Sequence, residues 1–137
     1  MQRRASAWPH AAALALPPSE AVPSRLVRWC DAAQRDLDHI VDYIATDSAL
    51  DAERVLARLQ QQAGSLEQFA ERGRRIPELV SRKRALRANW RELTVRPWRI
   101  VYAIENGGVM VLAVVDGRRD FLEWLARRSP SDLSTPR

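Results

Sequence analysis

The sequence predicts an α+β fold. An N-terminal strand and an antiparallel helical hairpin pack on a small antiparallel sheet, closed by a short C-terminal helix. Three observations predict it. Two stretches before residue 70 repeat apolar residues at helical spacing across a short link. Three β-prone stretches follow Arg91, and Asn106-Gly107-Gly108 between two of them is a hairpin signal, because the turn positions tolerate positive φ. Asp120, with Glu123 three residues on, is a helix-start signature.

Arg25–Cys30 is the predicted first strand, with Leu26, Val27 and Trp29 as its β-prone positions and Cys30 buried at its end. Asp31 is the predicted cap of the first helix, with Gln34 at the capping-box position. Leu37, Ile40, Val41 and Ile44 form its apolar stripe, and His39 lies off that stripe. Asp47 or Ser48 opens the second helix, whose stripe is Ala52, Val55, Leu56, Leu59, Ala63, Leu66 and Phe69. Gly73 ends the helical region, and Pro77 predicts an extended continuation. Strands follow over Arg91–Val95, Trp98–Glu105 and Val109–Val115. In the second, Ile100, Tyr102 and Ile104 share one face, with the Tyr102 hydroxyl expected at the surface. Val109–Val115 is apolar at every position, so it is a central strand covered on both faces. The hairpin covers one; the last helix, a second copy or a partner chain covers the other. Phe121, Trp124 and Leu125 bury the last helix.

Residues 25–128 thus read as one domain. Residues 1–24 hold four of the eight prolines and little amphipathic order. They are expected to be a disordered extension or the product of an upstream start codon, and Trp8 is their one candidate for docking. Residues 129–137 read as a flexible polar tail. No apolar run is long enough to span a bilayer, which predicts a cytoplasmic protein with no membrane partner. One cysteine and two separated histidines, His10 and His39, give no recognisable metal site, and no phosphate-cradling glycine loop occurs, so no metal or cofactor is expected.

Charge is unevenly spread. Residues 25–70 hold 5 basic and 8 acidic residues, whereas residues 71–128 hold 14 basic and 7 acidic. The sheet half is therefore basic, and its arginines recur at strand boundaries. That polarity suits a polyanion or an acidic protein.

Four pieces in order, Ile76-Pro77-Glu78-Leu79, Arg91-Glu92-Leu93, Trp98-Arg99-Ile100-Val101-Tyr102 and Gly117-Arg118-Arg119-Asp120, carry a family pattern. Over residues 25–128 the chain resembles the RelE/ParE superfamily of bacterial toxins, nearer the ParE branch. The resemblance implies an antitoxin partner, a possible toxin–antitoxin hetero-oligomer, and one of two activities. RelE-like members cleave messenger RNA in the ribosome; ParE-like members poison DNA gyrase without hydrolysis.

Metal-free RNA cleavage needs a base for the ribose 2′-hydroxyl, cations for the charge on phosphorus and an acid for the leaving oxygen. Arg91, Arg99, Arg118 and Arg119 supply cations. The acid–base pair is harder to find. No histidine follows His39, and Phe121 cannot transfer a proton where nuclease relatives resemble one another in carrying a tyrosine or histidine near the C-terminus. Asp116 stands where many relatives carry a histidine, but an aspartate before glycine is usually a turn former. Glu78 and Glu92 read as ion-pair partners of Arg91 or Arg99. The sequence therefore favours a ParE-like gyrase poison over an enzyme. A RelE-like ribonuclease is the alternative, and a non-toxic nucleic-acid-binding module using Arg82-Lys83-Arg84, Arg87 and Trp90 is the second. The expected target- or antitoxin-binding surface joins Arg75, Arg91, Arg99, Tyr102, Arg118 and Arg119 to Phe121 and Trp124. An antitoxin segment is expected on the uncovered face of Val109–Val115, its acids meeting Arg91, Arg99, Arg118 or Arg119.

Overall fold

A computed structural model describes residues 25–81 and 89–128. The expectations for residues 1–24, for the cluster Arg82-Lys83-Arg84 with Arg87, and for residues 129–137 lie outside the described residues. None of the described helices is long and apolar enough to cross a membrane.

The chain runs β1 (Val27–Trp29), α1 (Asp31–Ala45), α2 (Ala49–Gly64), a 3-10 turn (Ser65–Glu67), β2 (Arg74–Arg75), α3 (Pro77–Ser81), β3 (Arg91–Val95), β4 (Trp98–Glu105), β5 (Gly108–Asp116) and α4 (Phe121–Arg127). The sheet order is β1-β5-β4-β3-β2, antiparallel except where β1 runs parallel to β5. This is the predicted α+β class.

Helices α1 and α2 pair through their stripes. Leu37, Leu59, Ala63 and Leu66 are buried, and each buried leucine contributes about 2 kcal/mol by leaving water. Ser48 caps α2 by accepting a hydrogen bond from the Asp51 amide at 3.1 Å. At α1 the expectation is corrected. Cys30, not Asp31, is the cap residue, and no side chain caps it. Cys30 keeps extended backbone because its amide still donates to the Val111 carbonyl at 3.0 Å, so β1 pairing runs right up to the helix. Asp31 is already helical, and Gln34 donates to Asp38 at 3.2 Å instead of reaching back to the cap. The second stripe also ends early. The helix gives way to the 3-10 turn after Gly64, and Phe69, beyond it, is 60% exposed.

Pro77 does not hold its segment extended. It opens the short helix α3, where its fixed φ is pre-set and its missing N–H costs nothing. The hairpin turn between β4 and β5 has positive φ at Asn106 and Gly107, as a two-residue primed turn requires.

Strand β5 is buried at every position from Val109 to Val115, so the expected uncovered face is not there. The hairpin takes one side, and α4 buries Phe121, Trp124 and Leu125 in the same core. A register shift between Val101 and Tyr102 leaves Leu112 without a partner on β4 and breaks the simple alternation of the two strands.

Candidate functional site

The β3–β4 ladder sets the site. Thr94 lies opposite Arg99 and Glu92 opposite Val101, so period-two alternation puts Glu92, Thr94 and Arg99 on one face. Leu93, Val95 and Ile100 take the other face, in the core. Arg74 lies opposite Glu92 on β2 and joins the first group. The Pro77 start places Glu78 in the first turn of α3, over the same face.

These side chains form an alternating chain of charges. Arg74 Nε donates to Glu92 at 2.7 Å. Arg99 Nε donates to the other Glu92 oxygen at 2.5 Å. Arg99 Nη1 and Nη2 donate to the two oxygens of Glu78 at 3.0 and 2.8 Å. Two cations thus meet two carboxylates. The Glu92 side chain is 0% exposed and that of Arg99 11%, so the pairing is desolvated and each partner depends on the others. Burial opposes the charge of Arg99, but the hydrogen bonds to Glu78 and Glu92 prevail and hold its pKa above the usual value. The Arg99 hydrogen bond, partly offset by burial, holds the Glu78 carboxyl below the usual value. The Arg99 guanidinium also lies 4.6 Å from the centroid of the Phe121 ring.

Above this network is a cleft of about 590 Å³. Its lining also includes Pro77, Thr94, Arg96, Pro97, Trp98 and Arg118. Arg96 and Arg118 are exposed at its mouth, and Trp98 is partly exposed. Gly117 closes one end. Its amide donates to the Pro97 carbonyl at 2.7 Å, and a Cβ there would lie 3.0 Å from that oxygen. The preceding Asp116 is a turn former, as its neighbour glycine suggests. It accepts from the Arg118 amide at 2.9 Å and from the Arg118 guanidinium at 3.0 and 2.6 Å. Those side-chain hydrogen bonds, with the backbone one, bring its pKa down to about 2.

The predicted site residues therefore do not form one surface. Arg75, Arg118 and Arg119 are exposed. Arg91 is half-buried on the opposite face from Arg99 and donates to the Gly73 carbonyl at 2.7 Å. Tyr102 corrects the expectation of a surface hydroxyl. It is 0% exposed, donates to the Ala70 carbonyl at 2.7 Å and accepts from the Gly73 amide at 3.0 Å. Burial raises its pKa. Phe121 and Trp124 are buried, 5.4 Å apart between ring centroids, and anchor α4 instead of presenting a docking face. Reasoning from the sequence missed Arg74, Thr94, Arg96 and Trp98 at the cleft. The signal for Thr94 was its period-two spacing from Glu92.

Among the described residues no group of three or more histidine, cysteine, aspartate or glutamate side chains is placed to hold a metal ion. The cleft can hold an anionic or mixed polar and apolar group between Arg96, Arg118 and Trp98. Its floor charges are already matched.

Comparison with known proteins fits this architecture. The family model for the ParE toxin of the type II toxin–antitoxin system parDE matches residues 27–121. The solved chromosomal ParDE toxin–antitoxin system from P. aeruginosa is similar in fold, with a TM-score of 0.55 and 21% identity over 68% of this chain and 96% of that one. The toxin–antitoxin complex RelBE2 from Mycobacterium tuberculosis gives a TM-score of 0.48 and 23% identity over 68% of this chain and 91% of that one. No curated protein matches the chain. With a match running from β1 to the start of α4, the chain belongs to the ParE toxin family of type II toxin–antitoxin systems.

Proposed function

We propose that this toxin acts in the cytoplasm by binding and poisoning DNA gyrase, not by cutting RNA, and that a cognate antitoxin neutralises it. The observation that supports this reading is the closed network at Arg99. Each of its three nitrogens donates to Glu78 or Glu92, so its charge is already matched by two carboxylates and is a weak stabiliser for a phosphorus-centred transition state. Asp116 is a poor general base with a pKa of about 2, and Tyr102 is a poor acid with both hydrogen-bonding roles of its hydroxyl filled.

The antitoxin is the partner expected at the exposed arginines Arg75, Arg96, Arg118 and Arg119, with acidic side chains in the segment that meets them. Two assays on one preparation test the reading. Purified chain should inhibit gyrase supercoiling, or trap cleaved DNA, and leave ribosome-bound messenger intact. Codon-dependent messenger cleavage that is lost in Arg118→Ala, with gyrase untouched, would instead establish the ribonuclease reading.

A further inference from the structure

Strand β5 outruns its neighbour. β1 pairs with it only at Val109, Met110 and Val111, and the chain then turns into α1 while β5 continues to Asp116. Among the described residues no strand pairs with that side of β5 beyond Val111. Two of its backbone groups there are nevertheless satisfied by side chains. The Val114 amide donates to Asp36 Oδ2 at 3.0 Å. The Leu112 carbonyl accepts from Arg128 Nη2 at 3.2 Å and from the Cys30 thiol at 3.5 Å. Asp36 and Arg128 are joined to each other by two hydrogen bonds of 3.0 and 2.9 Å. The carboxylate accepts where a neighbouring strand's C=O would accept, and the guanidinium donates where its N–H would donate.

This arrangement is costly for a purely stabilising contact. The two side chains are only 17% and 11% exposed, and Arg128 Nε is buried with no hydrogen-bond partner among the described residues. Apolar residues of similar volume often serve stability as well or better in such places. They would, however, leave an open strand edge beside a run of seven apolar residues, the pattern that invites strand addition.

We propose that the Asp36–Arg128 pair is an edge guard. It fills the strand-addition site on the second half of β5 and keeps a second copy of this chain from pairing there. Two copies meeting by this edge would pair antiparallel about a twofold axis, each giving the other the C=O and N–H groups that the guard now supplies. The inference does not depend on the toxin's cellular target.

The test uses the full chain and two variants. Asp36→Ala removes the acceptor; Arg128→Leu removes the donor but keeps packing on Trp124. Sedimentation over two decades of concentration should show both variants shifting toward dimers under conditions where the parent does not shift. Hydrogen exchange at the Val114 amide should be roughly tenfold faster than in the parent when the variants are dilute. It should slow again as they are concentrated. Sedimentation identical to the parent, or a Val114 amide whose exchange ignores concentration, would overturn the proposal. So would loss of the sheet's circular-dichroism signal in both variants, which would make the pair a fold determinant.

Discussion

Gly73 and Tyr102 are fitted to each other across 29 residues: the glycine amide donates to the tyrosine hydroxyl at 3.0 Å, and a Cβ on residue 73 would lie 2.5 Å from that same oxygen. The contact pins the connector between the helical hairpin and β2 to the middle of β4. It also makes Tyr102 a structural residue, with its hydroxyl sealed away from any target.

Two substitutions follow from this fit. Tyr102→Phe strands the Gly73 amide and the Ala70 carbonyl and should cost about 1–3 kcal/mol. Gly73→Ala should cost about 1–3 kcal/mol or more by overpacking. The double variant should not recover. The added Cβ would still lie 2.7 Å from the Glu92 carbonyl and 2.8 Å from the ring carbon Cε1 that phenylalanine keeps at position 102. Urea denaturation of the four proteins checks this, and full recovery in the double variant would show that the hydroxyl was the sole obstacle.

The charge network predicts an acid-sensitive fold. Arg99 holds the Glu78 carboxyl below its ordinary value of 4.5. A carboxyl with a depressed folded-state pKa contributes stability above its unfolded value and loses it as pH falls through the folded value. Melting temperature should therefore fall as pH drops below 4.5, and Glu78→Gln should flatten that dependence. At neutral pH Glu92→Gln should be the costlier change, about 3 kcal/mol, because it uncouples charges that are buried deeper. If Glu92→Gln proves no worse than Glu78→Gln, the network is not cooperative.

Asp116 separates turn chemistry from acid–base chemistry. With a pKa of about 2 it stays ionised throughout the neutral range. Asparagine can still accept from the Arg118 amide and keep the turn. Asp116→Asn should therefore arrest growth as the parent does when expressed without antitoxin. Loss of toxicity with the fold intact, checked by circular dichroism, would assign the carboxylate a chemical role.

What the sequence made legible was periodic or local. The stripe through Leu37 and Ile44, the all-apolar run of β5 and the Asn106-Gly107 turn each reflect one element's own geometry. What it hid depends on partners far along the chain. Nothing near Pro77 says that Glu78 will reach Arg99, 21 residues on. Arg91 and Arg99 look alike as strand arginines, yet the register of β3 against β4 sends them to opposite faces. Cys30 became a helix cap because its amide answers Val111, which no local rule contains. The site was therefore legible as a set of arginines, but not as the division between those already paired and those still open to a partner.

That division yields the last prediction. Arg96, which lines the cleft, and Arg119 are exposed, as is Arg118 in its surface ion pair with Asp116, whereas Arg91 and Arg99 are engaged within the fold. Exposed rim charges act mainly on association rate, and removing a buried, paired charge acts on the fold. Arg96→Glu with Arg119→Glu should leave the melting temperature within a degree or two of the parent, in keeping with the small stability effects of surface changes. The same pair should slow antitoxin association about tenfold or more at low salt, with the gap closing as salt screens the charges. Arg99→Ala should do the reverse, lowering the melting temperature sharply and changing binding only as far as the fold is lost. Stopped-flow association at two ionic strengths, beside thermal melts of each variant, distinguishes the two. Slowed association in Arg99→Ala with an unchanged melt would place Arg99 at the interface and reopen the closed network.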